Sequence, residues 1–403
     1  MTTFVIGGGA AGFFAAIHCK AQNPDSPVIL IEKSASVLAK VKISGGGRCN
    51  VTHACFEPIR LAESYPRGGK ALIGPFQRFQ PRDTMNWFES RGVPLKIESD
   101  NRVFPISDSS QSIVDCLVNE AAILGVQVWT ECTVESIQKT EQGAFVVTLA
   151  SGMTHHANKL ILATGSSRAG YALAESLGHT ITPLVPSLFT VKIQDESLTA
   201  LSGLSVPNAT LKLSGKKTWT QSGPLLITHW GFSGPALIKL SAWAARDFFE
   251  AHYQLPLQIN WISDQSVQSV DSLFQAQKAH PKKMISNTSL FQTIPSRLWA
   301  YFLQKAGISE SKQWQDFSKK DAQTLSNILL NDTYLTQGKG QFKEEFVTCG
   351  GVSLSEVNFK TMESKLCPNL CFAGEILDID GITGGFNFQN AWTTGFLAGT
   401  AGN

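Results

Sequence analysis

Residues 3–12, TFVIGGGAAG, constrain the fold more than any other stretch of the chain. Phe4, Val5 and Ile6 read as a short strand, Gly7-x-Gly9-x-x-Gly12 as a tight turn, and Phe13, Phe14, Ala15, Ala16 and Ile17 as an apolar helix start. In that setting Gly7 permits the turn, Gly9 lets the backbone approach a pyrophosphate, and Gly12 lets the helix lie close to the strand. A pyrophosphate there rests on the positive, unpaired N–H end of the helix. A second strand reads at 28–31, VILI, and Glu32 closes it twenty residues past Gly12, where an acid that binds a ribose hydroxyl is expected.

A chain of 403 residues is long enough for two or three domains, and 43% hydrophobic content suits a globular protein with a large core. A net charge of +2 gives no whole-chain attraction for polyanions. Between residues 33 and 82, however, nine Lys/Arg face two acids, Glu57 and Glu63. This excess reads as a solvated face or as a phosphate-binding surface. The eight cysteines form no CxxC or Cys/His zinc pattern, so no metal site is expected and free thiols in a reducing cytoplasm fit best. The N-terminus carries no basic n-region and no segment is long enough to span a membrane, so a cytoplasmic location is expected.

Residues 33–53, KSASVLAKVKISGGGRCNVTH, read as a loop in which three glycines precede Arg48-Cys49-Asn50. Such a loop suits a flat cofactor or an anion nest, or is a flexible turn with a core cysteine. Residues 65–79 mix Arg67, Lys70 and Arg78 with aromatics and read as a surface segment, partly helical. Ser109 or Ser110 caps a helix that ends at Gly125, followed by strands at 126–129, 133–139 and 144–149. The strand in 159–165, KLILATG, ends in Ala163-Thr164-Gly165, bringing backbone to the carboxyl edge of the sheet where ligands bind. No second Gly-x-Gly-x-x-Gly follows, so a nicotinamide reductant is expected to visit transiently.

From 189 to 262 short β runs and turns alternate, with His229 before a loop of Gly231, Gly234 and Pro235; this histidine reads as a structural donor or a catalyst. Residues 264–332 have helical apolar spacing, and 338–340 read as a return linker. Residues 346–351 read as a strand with a glycine turn, and 370–373 as a strand ending at Gly374-Glu375. Gly384 and Gly385 open a final apolar helix, its body at 391–399, and Glu375 and Asp378 can accept hydrogen bonds from sugar hydroxyls. The positive end of that helix suits the negative N1–C2=O edge of a reduced flavin.

GGGAAG, ISGGGRCNVTH, ITHWGFSGPAL and FAGEILDIDGITGGFNFQNAW, in that order, resemble the YhiN/BaiN-like flavoprotein family, whose members are often labelled NAD(P)/FAD-dependent oxidoreductase or aminoacetone oxidase family. The resemblance covers nearly the whole chain, 264–332 being the exception. It implies an α/β fold: a Rossmann-type FAD-binding domain from both chain ends (1–187 and 340–403), an inserted β-barrel-like domain (188–263 with part of 333–345), and a small helical insertion (264–332). By that comparison Gly7, Gly9, Gly12 and Glu32 hold the ADP half of FAD. Gly45, Gly46, Arg48, Cys49 and Asn50 lie toward the flavin, and Glu375, Gly384, Gly385 and Asn387 hold the ribityl and ring end. Ala10, Ala11, Lys33, Lys40, Gly47, Thr133, Val134, Ala163, Thr164, Gly165, Gly374, Asp378 and Phe386 complete the cofactor set. Where the family carries Gly-Arg-Lys before the glycine loop, this chain has Ala39-Lys40-Val41-Lys42, which keeps the charge and reduces the backbone freedom.

Some members of the family are similar to reductases of unsaturated bile-acid rings, and others resemble a flavoenzyme that reduces a uridine of 23S ribosomal RNA to dihydrouridine. Both reactions reduce a C=C bond beside a carbonyl. FAD is then the hydride carrier, with NAD(P)H as the transient small-molecule reductant. Arg48 or backbone N–H groups are the candidates to stabilise the oxyanion, and Cys49 and His229 the candidates to supply the proton. Three readings follow. An RNA reductase grips phosphates with the basic 33–82 region and stacks bases on Tyr65, Phe76 and Phe79; this one is preferred. A small-molecule ene-reductase or amine oxidase has a deep apolar pocket. A flavin-binding module has no turnover. The oligomeric state, monomer or dimer, is open.

Overall fold

The structure, a computed structural model, describes residues 1–288, 290–340 and 347–401. Phe346, the expected start of a strand, and the ends of two expected domain segments (341–345, 402 and 403) lie outside the described residues. The chain divides into two compact units, Met1–Leu184 with Val347–Asn403, and Val185–Phe346.

The first unit is a Rossmann-type α/β layer built on five parallel strands. Their order is Leu370–Phe372, Lys159–Leu162, Thr3–Ile6, Val28–Ile31 and Gln127–Trp129, with two short antiparallel strands beyond Leu370–Phe372. The inner strands are continuous apolar runs buried on both faces, as a parallel sheet covered on two sides requires. Register aligns Ile6 with both Leu162 and Ile31, and Leu162 with Phe372, so four strand ends share one edge. Connections run outward from Thr3–Ile6 in both directions. The crevice between it and Lys159–Leu162 is therefore the switch point at which such sheets bind ligands.

The first helix, Ala10–Gln22, is apolar nearly all round because it packs between sheet and last helix, Phe386–Thr400. Glycines let the two helices meet closely: a Cβ at Gly395 would stand 2.8 Å from Ala11 O, and one at Gly399 2.5 Å from Ala15 O. Ala11 faces Gly395 and Ala15 faces Gly399, so the helices run parallel. Phe14, Phe79, Trp87 and Trp392 fill the space beside them.

The second unit is a closed six-stranded antiparallel barrel in the order Val191–Ile193, Gly231–Ser233, Thr218–Thr228, Ser205–Ser214, Pro256–Asn260, Asp332–Lys339. Helices Val267–Gln277, Ser296–Lys305 and Lys319–Asn331 stand between its last two strands in sequence. Among the described residues no helix is long and apolar enough to cross a membrane.

Several local expectations are corrected. Residues 33–53 are not all loop: Ala39–Gly47 is a helix, kinked where Ser44 is extended and Gly45 and Gly46 are left-handed. Residues 338–340 are not a free linker, because Gly338 and Lys339 finish a barrel strand whose alternating pattern places Asp332, Tyr334 and Thr336 inward. Gly350 and Gly351 make no turn; they lie within Val347–Val352, where Pro183 O and Ile376 O approach too closely for any side chain. The last helix does begin directly after Gly384 and Gly385, as expected, and its first turns also take in polar Asn387, Gln389 and Asn390, which find partners or burial there. Tyr65, Phe76 and Phe79 are core residues rather than surface aromatics (4%, 0% and 6% exposed): Phe76 is on the inward side of the amphipathic helix Gly69–Arg78, Tyr65 reaches Phe386 O, and Phe79 packs on Phe14 and Phe396.

Candidate cofactor site

At the shared strand edge, the Gly7 N–H donates to Ile31 O (2.8 Å) and Ala163 N–H donates to Ile6 O (2.8 Å). A Cβ on Gly7 would lie 2.4 Å from Ala163 O, and one on Gly12 1.8 Å from Gly7 O, so both positions demand glycine. Gly9 differs: nothing stands within 4 Å of a Cβ there, and the backbone is open to an approaching group. Gly9 caps the first helix, no side chain caps it in turn, and no acid stands in the first turn. The first helical N–H groups, including those of Ala10 and Ala11, are the ones a helix leaves without an intrahelical partner, and they carry the positive end of its dipole. A diphosphate fits this cradle.

Glu32 sits beside it. Its carboxylate accepts from Gly8 N (2.8 Å) and Ser34 N (2.9 Å), while its backbone carbonyl accepts from Cys132 N (3.0 Å). The backbone bond from Cys132 brings the 132–134 segment, with Thr133 and Val134, next to the end of the second strand. Lys33 is exposed.

On the other side, Gly374 (φ 77°) closes on the first helix, where its Cβ would lie 2.7 Å from Ala11 Cβ; its N–H donates to Thr394 Oγ1 (2.8 Å). Lys40 Nζ donates to Glu375 Oε2 (2.7 Å) and to Ser166 Oγ (3.3 Å), and Glu375 Oε1 accepts from Thr348 N (3.2 Å). The helix that replaces the expected Gly-Arg-Lys backbone thereby reaches across to the C-terminal segment. Gly165 (φ 59°) borders Glu375, and Thr164 Oγ1 is buried without a hydrogen-bond partner.

The start of the last helix is fixed from several sides. Gly385 (φ 92°) is its cap, and a Cβ there would lie 2.5 Å from Thr52 O. With its amide turned to suit its neighbours, Asn50 accepts from Gly385 N (2.9 Å) and donates to Thr52 O (2.9 Å). His53 Nδ1 meets Gly384 O (3.1 Å), and its ring lies on Phe386, centroids 4.6 Å apart. Tyr65 OH donates to Phe386 O (2.6 Å). Asn387 clamps Gly381 from both ends, accepting from its N–H (2.8 Å) and donating to its carbonyl (2.9 Å). Arg67, 14% exposed, pairs with the fully buried Asp380. Beneath, Thr52 and Thr84 both donate to Gln389 Oε1 (2.6 and 2.9 Å), and Gln389 Nε2 donates to Thr393 Oγ1 (3.0 Å). No acid stands in the first turn of this helix either. Ala11 faces Gly395; the last helix begins nine residues before that contact and the first helix one residue before it, so the start of the last helix projects ~12 Å further along the axis at 1.5 Å per residue. Both helix starts favour negative charge.

The three residues named for chemistry are placed differently from one another. Arg48 packs over Phe104 (4.0 Å) and donates to Glu98 (2.7 Å) and Asp108 (3.4 Å), which raise its pKa. Its charge is committed to two carboxylates, which argues against a role on an oxyanion. Cys49 is fully buried at a left-handed position (φ 59°), and burial pushes its thiol up to about 12, partly offset by a hydrogen bond with Ser44. His229 belongs to the barrel unit, exposed in the turn between two strands, its ring edge-on to that of Trp230 (centroids 4.1 Å apart, planes at 73°). Sequence reasoning missed His53, Tyr65, Arg67, Asp380 and Gln389 as parts of the site. The signal for His53 was its place in the NVTH run directly after the glycines. Tyr65 and Arg67 are joined to the start of the last helix only by the fold, whereas Asp380 and Gln389 lie within the ILDIDGITGGFNFQN run that leads into it.

The family model described as HI0933-like protein Rossmann domain matches residues 1–401. The chain is 32% identical over 404 residues to the ribosomal RNA dihydrouridine synthase of Escherichia coli, covering 97% of this chain and 95% of that one. It is 29% identical over 414 residues to the 3-dehydro-bile acid delta(4,6)-reductase of Clostridium scindens, covering 98% of each. Among solved structures, 3-ketosteroid delta1-dehydrogenase from Sterolibacterium denitrificans shares the fold, with TM-score 0.51, 11% identity, and coverage of 99% of this chain and 98% of that one.

Proposed function

The chain belongs to the HI0933-like family and is an FAD-dependent oxidoreductase, and we propose that it reduces an activated C=C bond of a uridine in 23S ribosomal RNA. The observation that carries the flavin part is the parallel first and last helices, whose starts carry no side-chain cap and are offset by ~12 Å along the axis by the helical rise. When bound, FAD supplies the hydride. The protein's residues do the rest. The open backbone at Gly9–Ala11 takes the diphosphate, and Glu32 is positioned to accept from ribose hydroxyls. Lys40 and Glu375, already paired, stand ready to exchange that pair for polar groups of the ligand. Asn50, Tyr65 and Asn387 hold the start of the last helix so that its N–H groups point where negative charge gathers in the reduced ring. A reduced nicotinamide, which has no second fingerprint to bind in this sequence, regenerates the carrier by a transient visit.

The RNA reading draws support from the 32% identity to a protein named ribosomal RNA dihydrouridine synthase, and from Lys33, Lys42, Arg60, Lys70, Arg78 and Arg82, all exposed. They can meet phosphates as point charges, without the base stacking expected of Tyr65, Phe76 and Phe79. The test is mass spectrometry of 23S RNA nucleosides from strains with and without the gene. Loss of one dihydrouridine in the deletion, restored by complementation, is expected; identical profiles reject the reading. A second reading, reduction of an unsaturated steroid-like ring, rests on the 29% identity to the bile-acid reductase; it predicts turnover of an enone steroid that polyanions leave unchanged.

A further inference from the structure

We propose that His53 is the proton donor that completes the reduction, in place of Cys49 or His229; this rests on the C=C reduction proposed above. His53 ends the two-residue strand Thr52–His53, which lies against the start of the last helix. A carbonyl oxygen only accepts, so the contact between Nδ1 and Gly384 O (3.1 Å) places the fixed hydrogen on Nδ1 and makes Nε2 the nitrogen that gains and loses the titrating proton. Packing on Phe386 holds the ring plane.

The other ionisable groups around that helix start are unsuited. Cys49 is fully enclosed and its conjugate thiolate is disfavoured there. Tyr65 is buried and donates its hydrogen to Phe386 O. Arg67 is paired with Asp380, and Arg48 with Glu98 and Asp108. Arg102 stands opposite His53 in the strand ladder, its charge held by Asp100 and Glu98. Among the described residues Cys55, its thiol raised by burial, lies by Tyr65, and Cys349 and Asp378 lie by Arg67. His53 is only partly buried, so it can be reprotonated from water.

With reduced FAD bound to supply a hydride, the carbon β to the carbonyl would receive that hydride with its two electrons, and the π pair would move onto the carbonyl oxygen. The enolate then takes H⁺ from Nε2 at the α carbon, forming the second C–H bond. The imidazole recovers its proton from solvent, and the two electrons lost by FAD are replaced by the nicotinamide.

Two measurements decide the matter. In FAD-loaded protein with ¹⁵N-labelled histidine, His53 is expected as the Nδ1–H tautomer, with resonances that shift on FAD binding and again on its reduction. An Nε2–H tautomer, or resonances indifferent to FAD, overturns the proposal whatever the substrate is. In stopped flow, pre-reduced enzyme is mixed with 23S RNA from the deletion strain, and separately with an enone steroid. His53→Gln is expected to slow reoxidation by the acceptor at least 100-fold and to flatten its pH profile, while dithionite reduction of bound FAD stays within twofold. An unchanged profile, or equal loss in both half-reactions, refutes the role. If the wild type reoxidises with neither acceptor, the substrate reading fails and the resonance experiment alone judges His53.

Discussion

Gly395 in the last helix lies against the carbonyl oxygen of Ala11 in the first, where even a Cβ would stand 2.8 Å away. The contact brings backbone to backbone, and no neighbouring side chain can move aside to make room. Gly395→Val should therefore cost about 1–3 kcal/mol by overpacking and pry apart the two helix starts. Differential scanning calorimetry should show a lower midpoint, and the purified variant should retain less FAD. Normal FAD content at a lowered midpoint would separate helix packing from cofactor binding.

Glu32 holds two backbone N–H groups while standing where a ribose is expected. Glu32→Gln keeps its shape and removes the charge. FAD affinity should fall about tenfold, equivalent to 1.4 kcal/mol. Fluorescence titration of the apoprotein measures this, and wild-type affinity would remove Glu32 from the adenosine end.

The Arg67–Asp380 pair is largely hidden from water. Asp380→Asn removes the buried carboxylate that the guanidinium pairs with, at a cost of about 3–5 kcal/mol. The combined replacement Arg67→Met with Asp380→Leu should recover much of that. Thermal unfolding of the three proteins tests the order; a double variant less stable than Asp380→Asn would contradict it.

His18 is boxed by Phe14, Phe79, Trp87 and Phe396, and burial lowers its pKa to about 4, against the opposing effect of a hydrogen bond to Phe14 O. The unfolded chain binds this proton more readily than the folded one. Stability linked to His18 is thus complete above the ordinary histidine pKa and is lost as pH falls from about 6.5 toward 4. The loss should be about 2 kcal/mol, less than the full shift implies, because the residue keeps some solvent contact. Urea midpoints measured across this range should slope less in His18→Phe than in the wild type.

If the exposed basic residues meet RNA phosphates, Lys42→Glu and Lys70→Glu should each weaken RNA binding for every sequence alike and reduce the slope of log K against log salt by about 1. Phe79→Ala should instead act through the core, costing about 3–5 kcal/mol of stability. Filter binding at several salt concentrations, beside thermal melts, distinguishes the two classes.

The strands and the glycine fingerprint were legible because local rules govern them. Gly7, Gly9 and Gly12 are dictated by their own turn, and VILI by burial on two faces. Pairing between distant segments was not legible. Nothing near Tyr65 in the sequence shows that its hydroxyl meets Phe386, and the aromatics in 65–79 read as exposed only because their neighbours are cationic. Asn387 suggested a ligand contact, yet its amide spans Gly381. Arg48 invited a chemical role until Glu98 and Asp108, fifty and sixty residues on, were seen to hold it.

The meeting of Ala11 with Gly395 also orders events in time. During synthesis the first helix emerges with its partner still hundreds of residues from being made. Its apolar flank must wait, shielded by chaperones or loosely collapsed on the young sheet, until translation reaches the far segment. FAD capture is then among the last acts of maturation, and a ribosome stalled before residue 386 would display a nascent polypeptide unable to hold the cofactor.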